Sequence, residues 1–173
     1  AASEPRYPSI TLDISTIEVQ GDATVASDDP TAEINDLFTK TEPAIRIALS
    51  PEWSVNALFV LQPIRDPGPD DDRVFEDHGL FVEELHVDYE TDRLAVSVGK
   101  LTPNFGKAWD TAPGVYGTDF AEGYELAERL GLAAAVTFGN DTLGRHALGA
   151  SVFFLDTTLN HSLIDSWGTV GRA

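Results

Sequence analysis

The sequence predicts an all-β fold: an antiparallel sheet closed into a membrane-spanning barrel, or the N-terminal portion of a larger one. Three observations carry this expectation. Successive runs alternate apolar and polar residues with a period of two, the mark of strands whose two faces meet different surroundings. The polar positions hold ionisable groups beside small residues, not the Lys/Glu/Thr mixture of a solvated sheet, and a wall that is apolar outside and polar inside is what a barrel in lipid requires. Short turns near residues 51, 91 and 141 alternate strictly with long connections over 21–43, 64–78 and 101–123, the asymmetry of outer-membrane barrels.

The elements follow in order. Residues 8–20 place Ile10, Leu12 and Ile14 opposite Thr11, Asp13 and Ser15, a first strand. The acidic stretch 21–43, broken by Asp28-Asp29-Pro30, reads as a long loop, with room for a short helical turn over 32–40. Ile45, Ile47 and Leu49 alternate with Arg46, Ala48 and Ser50, Ser50-Pro51-Glu52 turns the chain, and Trp53, Val55, Ala57, Phe59 and Leu61 carry it back. Residues 63–78, with Asp66-Pro67-Gly68-Pro69-Asp70-Asp71-Asp72, are predicted to hold no regular structure.

Residues 79–100 form the clearest hairpin. Phe81, Leu85, Val87 and Tyr89 face one way and Glu84, His86 and Asp88 the other. After the Glu90-Thr91-Asp92 turn, Leu94, Val96 and Val98 stand opposite Arg93, Ala95, Ser97 and Gly99. A loop rich in Gly, Pro and aromatics follows. Alternation resumes over 124–139, where a helix over 121–135 is the rival reading because Ala, Glu, Leu and Arg favour helices. The strict period of two from Leu130 to Phe138 favours strand, the turn 139–142 follows, and Leu148, Ala150, Val152 and Phe154 mark a seventh strand, with an eighth read near 161–170. Glu83 and Glu128 fall on the apolar side, each just after a long loop, where a charge near the headgroups costs far less than at the bilayer midplane.

Composition narrows the function classes. A net charge of −18 argues against nucleic-acid binding, which needs basic surface, and favours cations or basic partners. No apolar run approaches the roughly 18 residues of a membrane helix, a test that barrels escape. The chain has no cysteine and no methionine, which removes thiol chemistry. Ala1-Ala2-Ser3 suits a stretch just past a signal-peptidase cut, so export through a cleaved signal peptide is expected.

The residues that carry chemistry are charges on the polar faces. Arg46, Glu84, His86, Asp88, Arg93, Glu125 and Arg129 are expected to face inward, where they set ion preference as rings of charge do in other pores or pair with one another to fill a polar interior. Lys100 and Lys107, with Phe105, Trp109, Tyr116 and Phe120, belong to the long loop after the fifth strand, which narrows a pore if it folds inward; the aromatics equally suit interface anchors. Asp70, Asp71 and Asp72 offer carboxylates to a weak calcium site, although their spacing matches no EF-hand loop. No nucleophile motif, metal-ligand His spacing or phosphate loop is present, so the chain is read as a non-enzyme without a required cofactor.

The segment Val98-Gly-Lys-Leu-Thr-Pro-Asn-Phe-Gly-Lys-Ala-Trp, with Tyr116-Gly-Thr-Asp-Phe and Glu125-Leu-Ala-Glu-Arg-Leu-Gly, resembles bacterial outer-membrane porins of the alphaproteobacterial type and, more loosely, the phosphate-selective porin family. The resemblance covers mainly residues 79–158. It implies a barrel of about sixteen or more strands, often trimeric, in the outer membrane, passing small hydrophilic solutes through a water-filled lumen. Gly171-Arg172-Ala173 is not the aromatic terminal strand of an assembled barrel, so the chain is read as the N-terminal part of a longer porin, and its acidity departs from phosphate selectivity. The alternative is a secreted soluble β-sandwich that binds carbohydrate or calcium through its acidic loops.

Overall fold

In a computed structural model, described for residues 6–65, 67–69, 71–103, 126–140, 142, 144–154 and 164–167, the chain is an all-β antiparallel sheet. Its strands are β1 (Ser9–Ala23), β2 (Asn35–Ala48), β3 (Trp53–Pro63), β4 (Arg73–Val74), β5 (His78–Glu90), β6 (Leu94–Leu101), β7 (Arg129–Asn140), β8 (Gly144–Phe153) and β9 (Ile164–Trp167). The hydrogen-bonded order is β1-β2-β3-β5-β6-β7-β8, with β4 added to β2 and β9 to β5. Each strand of the path thus lies beside the one that precedes it, an up-and-down arrangement. The path ends at β1 and β8, so the described strands form an open sheet, and the expected closure into a barrel is not seen among them.

Several boundaries correct the sequence reading. The loop expected over 21–43 spans only 24–34, because β1 runs to Ala23 and β2 begins at Asn35. The residues Thr39, Thr41 and Pro43 hide this strand from a hydrophobicity pattern, and hydrogen bonds from neighbours fix it instead: Thr39 Oγ1 donates to Glu18 O at 2.6 Å. The helical turn is a single 3-10 turn, Pro30–Ala32, capped by Asp29, which lies before most of the expected range. Residues 63–78 were expected to be irregular throughout, yet Arg73–Val74 pairs in parallel with Asp36 and Leu37. The helical alternative fails over the described part of 121–135, where β7 runs from Arg129.

The three short turns hold themselves with side-chain hydrogen bonds, as Ser, Thr and Asn do in turns. Ser50 Oγ accepts from the Glu52 and Trp53 amides at 3.2 and 3.1 Å. Thr91 Oγ1 accepts from the Leu94 amide at 3.0 Å, and Asn140 Oδ1 accepts from the Thr142 amide at 3.0 Å.

The chain divides into two compact units, residues 1–10, 46–56 and 83–159 in one and 11–45, 57–82 and 160–173 in the other. In the first, the antiparallel register aligns rows across four strands. Val87, Val98, Leu132 and Val152 form one row; Tyr89, Val96, Ala134 and Ala150 the next; Leu94, Val136 and Leu148 a third. On the opposite face the rows read Asp88, Ser97, Ala133, Ser151 and His86, Gly99, Gly131, Phe153. The apolar rows are uncovered: Leu132 is 44% exposed, Leu148 71% and Val152 75%.

In the second unit an ion pair and hydrogen bonds tie residues 65–75 to β2. Arg73 Nε donates to Asp36 Oδ1 at 2.6 Å and its terminal nitrogens to Asp36 Oδ2 and the Arg65 carbonyl, with the guanidinium 5.3 Å from the Phe38 ring. Asp72 takes the Asn35 amide at 2.7 Å, and Phe75 donates its N–H to Leu37 O at 2.8 Å. These contacts lay residues 71–75 along β2. Among the described residues the buried hydrophobic core is small, Val60, Val82 and Leu101, and of these Val60 is fully buried.

Candidate functional site

Strand β5 projects Glu84, His86 and Asp88 from one face because alternate residues of a strand share a side. The chain reverses at residues 91–93, and β6 brings no competing bulk: Ser97 is opposite Asp88 and Gly99 opposite His86. Gly99 and Gly131 occupy one row, so the polar face beside His86 carries no side chain on two successive strands. Toward β8, Ala95, Ser97, Ala133, Ala135, Gly149 and Ser151 are all small and leave a hollow of about 310 Å³.

The three ionisable groups form a chain of contacts. His86 Nδ1 stands 2.7 Å from Asp88 Oδ1, and His86 Nε2 stands 3.6 Å from Glu84 Oε2. Asn56 Nδ2 donates to Asp88 Oδ2 at 2.6 Å and to Ser54 Oγ at 3.0 Å. The Thr102 N–H donates to Glu84 Oε1 at 3.3 Å. All three ionisable side chains are mostly covered, His86 being 14% exposed. Ser54 is fully buried and meets Asn56 in this network, while the imidazole has Asp88 at Nδ1 and, at the longer 3.6 Å, Glu84 at Nε2. The arrangement is therefore a charged, hydrogen-bonded patch on the polar face of β5.

The remaining expected residues scatter. Arg129 opens β7 opposite Leu101. Arg46 is exposed on β2 and Arg93 is exposed in the β5–β6 turn, its carbonyl accepting from the Thr137 N–H at 2.8 Å. Lys100 shares its row with Leu85 and Leu130 and pairs with Glu128 at 3.3 Å, both side chains nearly covered. Its face is that of Val96 and Val98, opposite His86. Lys107 and Glu125 lie outside the described residues, as do Asp70 and the aromatics Phe105, Trp109, Tyr116 and Phe120. Of the acidic run, Asp72 is engaged by Asn35, whose amide holds its carboxyl below the usual range, and among the described residues no group of three or more His, Asp or Glu is placed to hold a metal.

Asn56, Ser54 and Thr102 are the members that sequence reasoning missed. Their signal was present in part, since Ser54 and Asn56 alternate on the polar side of a predicted strand, but nothing local says that Asn56 meets a residue 32 positions away.

Aromatic residues gather at the short turns of the same unit. Trp53 and Tyr89, flanking two of them, have ring centroids 4.9 Å apart. Phe138, two residues before Asn140, lies 5.7 Å from the His146 ring and is half exposed. No helix among the described residues is long and apolar enough to cross a membrane, which says nothing about crossing by strands. No protein-family model, curated protein or solved structure matches the chain.

Proposed function

We propose that this chain forms part of the wall of an outer-membrane β-barrel channel that passes small hydrophilic solutes or ions by diffusion. The observation that carries the reading is the uncovered apolar face of β5, β6, β7 and β8, backed by a face of charges and small residues. Leaving a Leu or Val in water instead of burying it forgoes about 1.5–3 kcal/mol each, and soluble monomers rarely expose apolar patches beyond a few hundred Å². Lipid removes that penalty for every residue of the face together.

Further observations agree. β2, β5 and β7 have 14, 13 and 12 residues, enough for the roughly 9–11 residues with which a tilted strand crosses the hydrocarbon layer. The aromatics at the short turns stand where a girdle meets the headgroups. On the polar side, Glu84 and Asp88 bias the lumen toward cations, and His86 between them tempers the charge. The partners are then outer-membrane lipids and small solutes, and the place of action is the bacterial outer membrane.

Single-channel recording tests this. The detergent-extracted protein in a planar bilayer under a salt gradient is expected to give stepwise conductance with a cation-favouring reversal potential. A verified folded sample that inserts no channels sinks the proposal and turns attention to ligand binding by the acidic loops.

A further inference from the structure

His86 touches two carboxylates, and the two contacts differ in kind. Its Nδ1 lies 2.7 Å from Asp88 Oδ1, a full hydrogen bond, whereas its Nε2 stands 3.6 Å from Glu84 Oε2, beyond hydrogen-bond reach. A neutral imidazole that donates from Nδ1 carries its lone pair on Nε2. A lone pair and a carboxylate oxygen then face each other across the gap and repel unless a positive charge joins them.

We propose that this gap binds a divalent ion of borderline softness, such as Zn²⁺, through His86 Nε2 and Glu84 Oε2, with water completing the coordination. Two bonds of about 2.1 Å that span the observed 3.6 Å open an angle of about 118° at the ion, near the tetrahedral value. Asp88 is the carboxylate that fixes the tautomer and the ring plane of a ligating histidine, and Asn56 holds it from behind at 2.6 Å. The Thr102 N–H engages Glu84 Oε1 and leaves Oε2 for the metal. One imidazole and one carboxylate favour Zn²⁺ over Ca²⁺ or Mg²⁺, which prefer oxygen alone. With two protein ligands the site exchanges its ion readily and has open positions for water.

Metal binding needs no pore. Its consequence for conduction rests on the channel reading: an ion held on the polar wall adds positive charge there and lowers cation conductance. The two fail separately, because binding is read in solution and conduction in a bilayer. A protein that conducts without taking up zinc loses only this proposal, and one that takes up zinc without conducting loses only the channel.

The test is titration of the folded full chain with ZnCl₂ by calorimetry, together with X-ray absorption at the zinc edge of the loaded wild-type protein. One Zn²⁺ per chain with one imidazole in its shell is expected. His86→Gln and Glu84→Gln should each weaken binding at least tenfold, Asp88→Asn about tenfold as a positioning change, and His146→Gln not at all. Circular dichroism checks that each variant keeps its strands, and the absorption spectrum needs no variant. No zinc uptake by the wild type, a shell with no imidazole or with more than one, or unchanged binding in a folded His86→Gln protein overturns the proposal. The first of these outcomes leaves a proton on the imidazole as the sole tenant of the gap.

Discussion

Gly99 and Gly131 stand directly opposite one another on β6 and β7, and neither position has room for a Cβ. A methyl group on Gly99 would lie 2.3 Å from the Leu85 carbonyl oxygen, and the residue's φ of +141° is one that L side chains rarely adopt. On Gly131 it would lie 2.5 Å from Val152 O. Gly99 lets β6 approach β5 closely beside His86, and Gly131 does the same for β7 against β8.

Gly99→Ala is therefore expected to destabilise the fold by at least about 2 kcal/mol, through strain and forced strand separation. Gly149→Ala is the control. Its added Cβ would meet Ala134 O at 3.5 Å, an ordinary contact, so its effect should stay within about 0.5 kcal/mol. Urea titrations in one detergent or lipid system, followed by tryptophan fluorescence, compare the two.

The surroundings of the apolar face are open to a direct test. Leu132 is central to its row, between Val98 and Val152. If lipid covers it, Leu132→Arg costs about 2–4 kcal/mol near the bilayer midplane; if water covers it, the change stays within about 0.5 kcal/mol. Folding equilibria into vesicles give the number.

Asp36 and Arg73 are a covered, forked ion pair, 11% and 6% exposed. Asp36→Ala leaves the guanidinium without its counter-charge and should cost about 3–5 kcal/mol, whereas the double change Asp36→Leu with Arg73→Met should recover much of that loss. Denaturation midpoints of the two variants decide it. Equal losses would mean that the charges matter less than the space they fill.

Exposed Asp72 gives a pH expectation with a definite sign. Its carboxyl is held below the ordinary 3.8 by the Asn35 backbone N–H and then the Asn35 side chain. A depressed folded value means that the stabilisation is present above the unfolded value and is lost as pH falls through the lower, folded one. Wild type should therefore lose more stability than Asp72→Asn as pH drops below about 3.8. Parallel loss in the two proteins would show that the contact does not persist in solution.

Replacing Glu84 and Asp88 together by Lys should shift the reversal potential toward anions. Unchanged selectivity in channels that still form would remove both residues from the lumen wall.

The sequence by itself determined the strand class, the two-faced pattern and the alternation of short and long connections, because a period of two and turn chemistry at residues 50–52 and 139–142 are local properties of the chain. Glu84, His86 and Asp88 were readable as one set for the same reason, being i, i+2 and i+4 on one strand. Only the tertiary structure decided what lies across from them. Asn56 on Asp88, the Gly99–Gly131 row and the Asp36–Arg73 fork depend on register between strands distant in sequence, and register is set by backbone pairing and packing over the whole sheet. Residues 35–43 of β2 were missed because Thr39, Thr41 and Pro43 carry no hydrophobic period, so only its hydrogen-bonded neighbours make this stretch a strand. Lys100 continued the alternation of Leu94, Val96 and Val98, yet a lysine there gave no sign of its partner. Glu128, held at a φ of +60°, supplies the opposite charge that lets the lysine be covered.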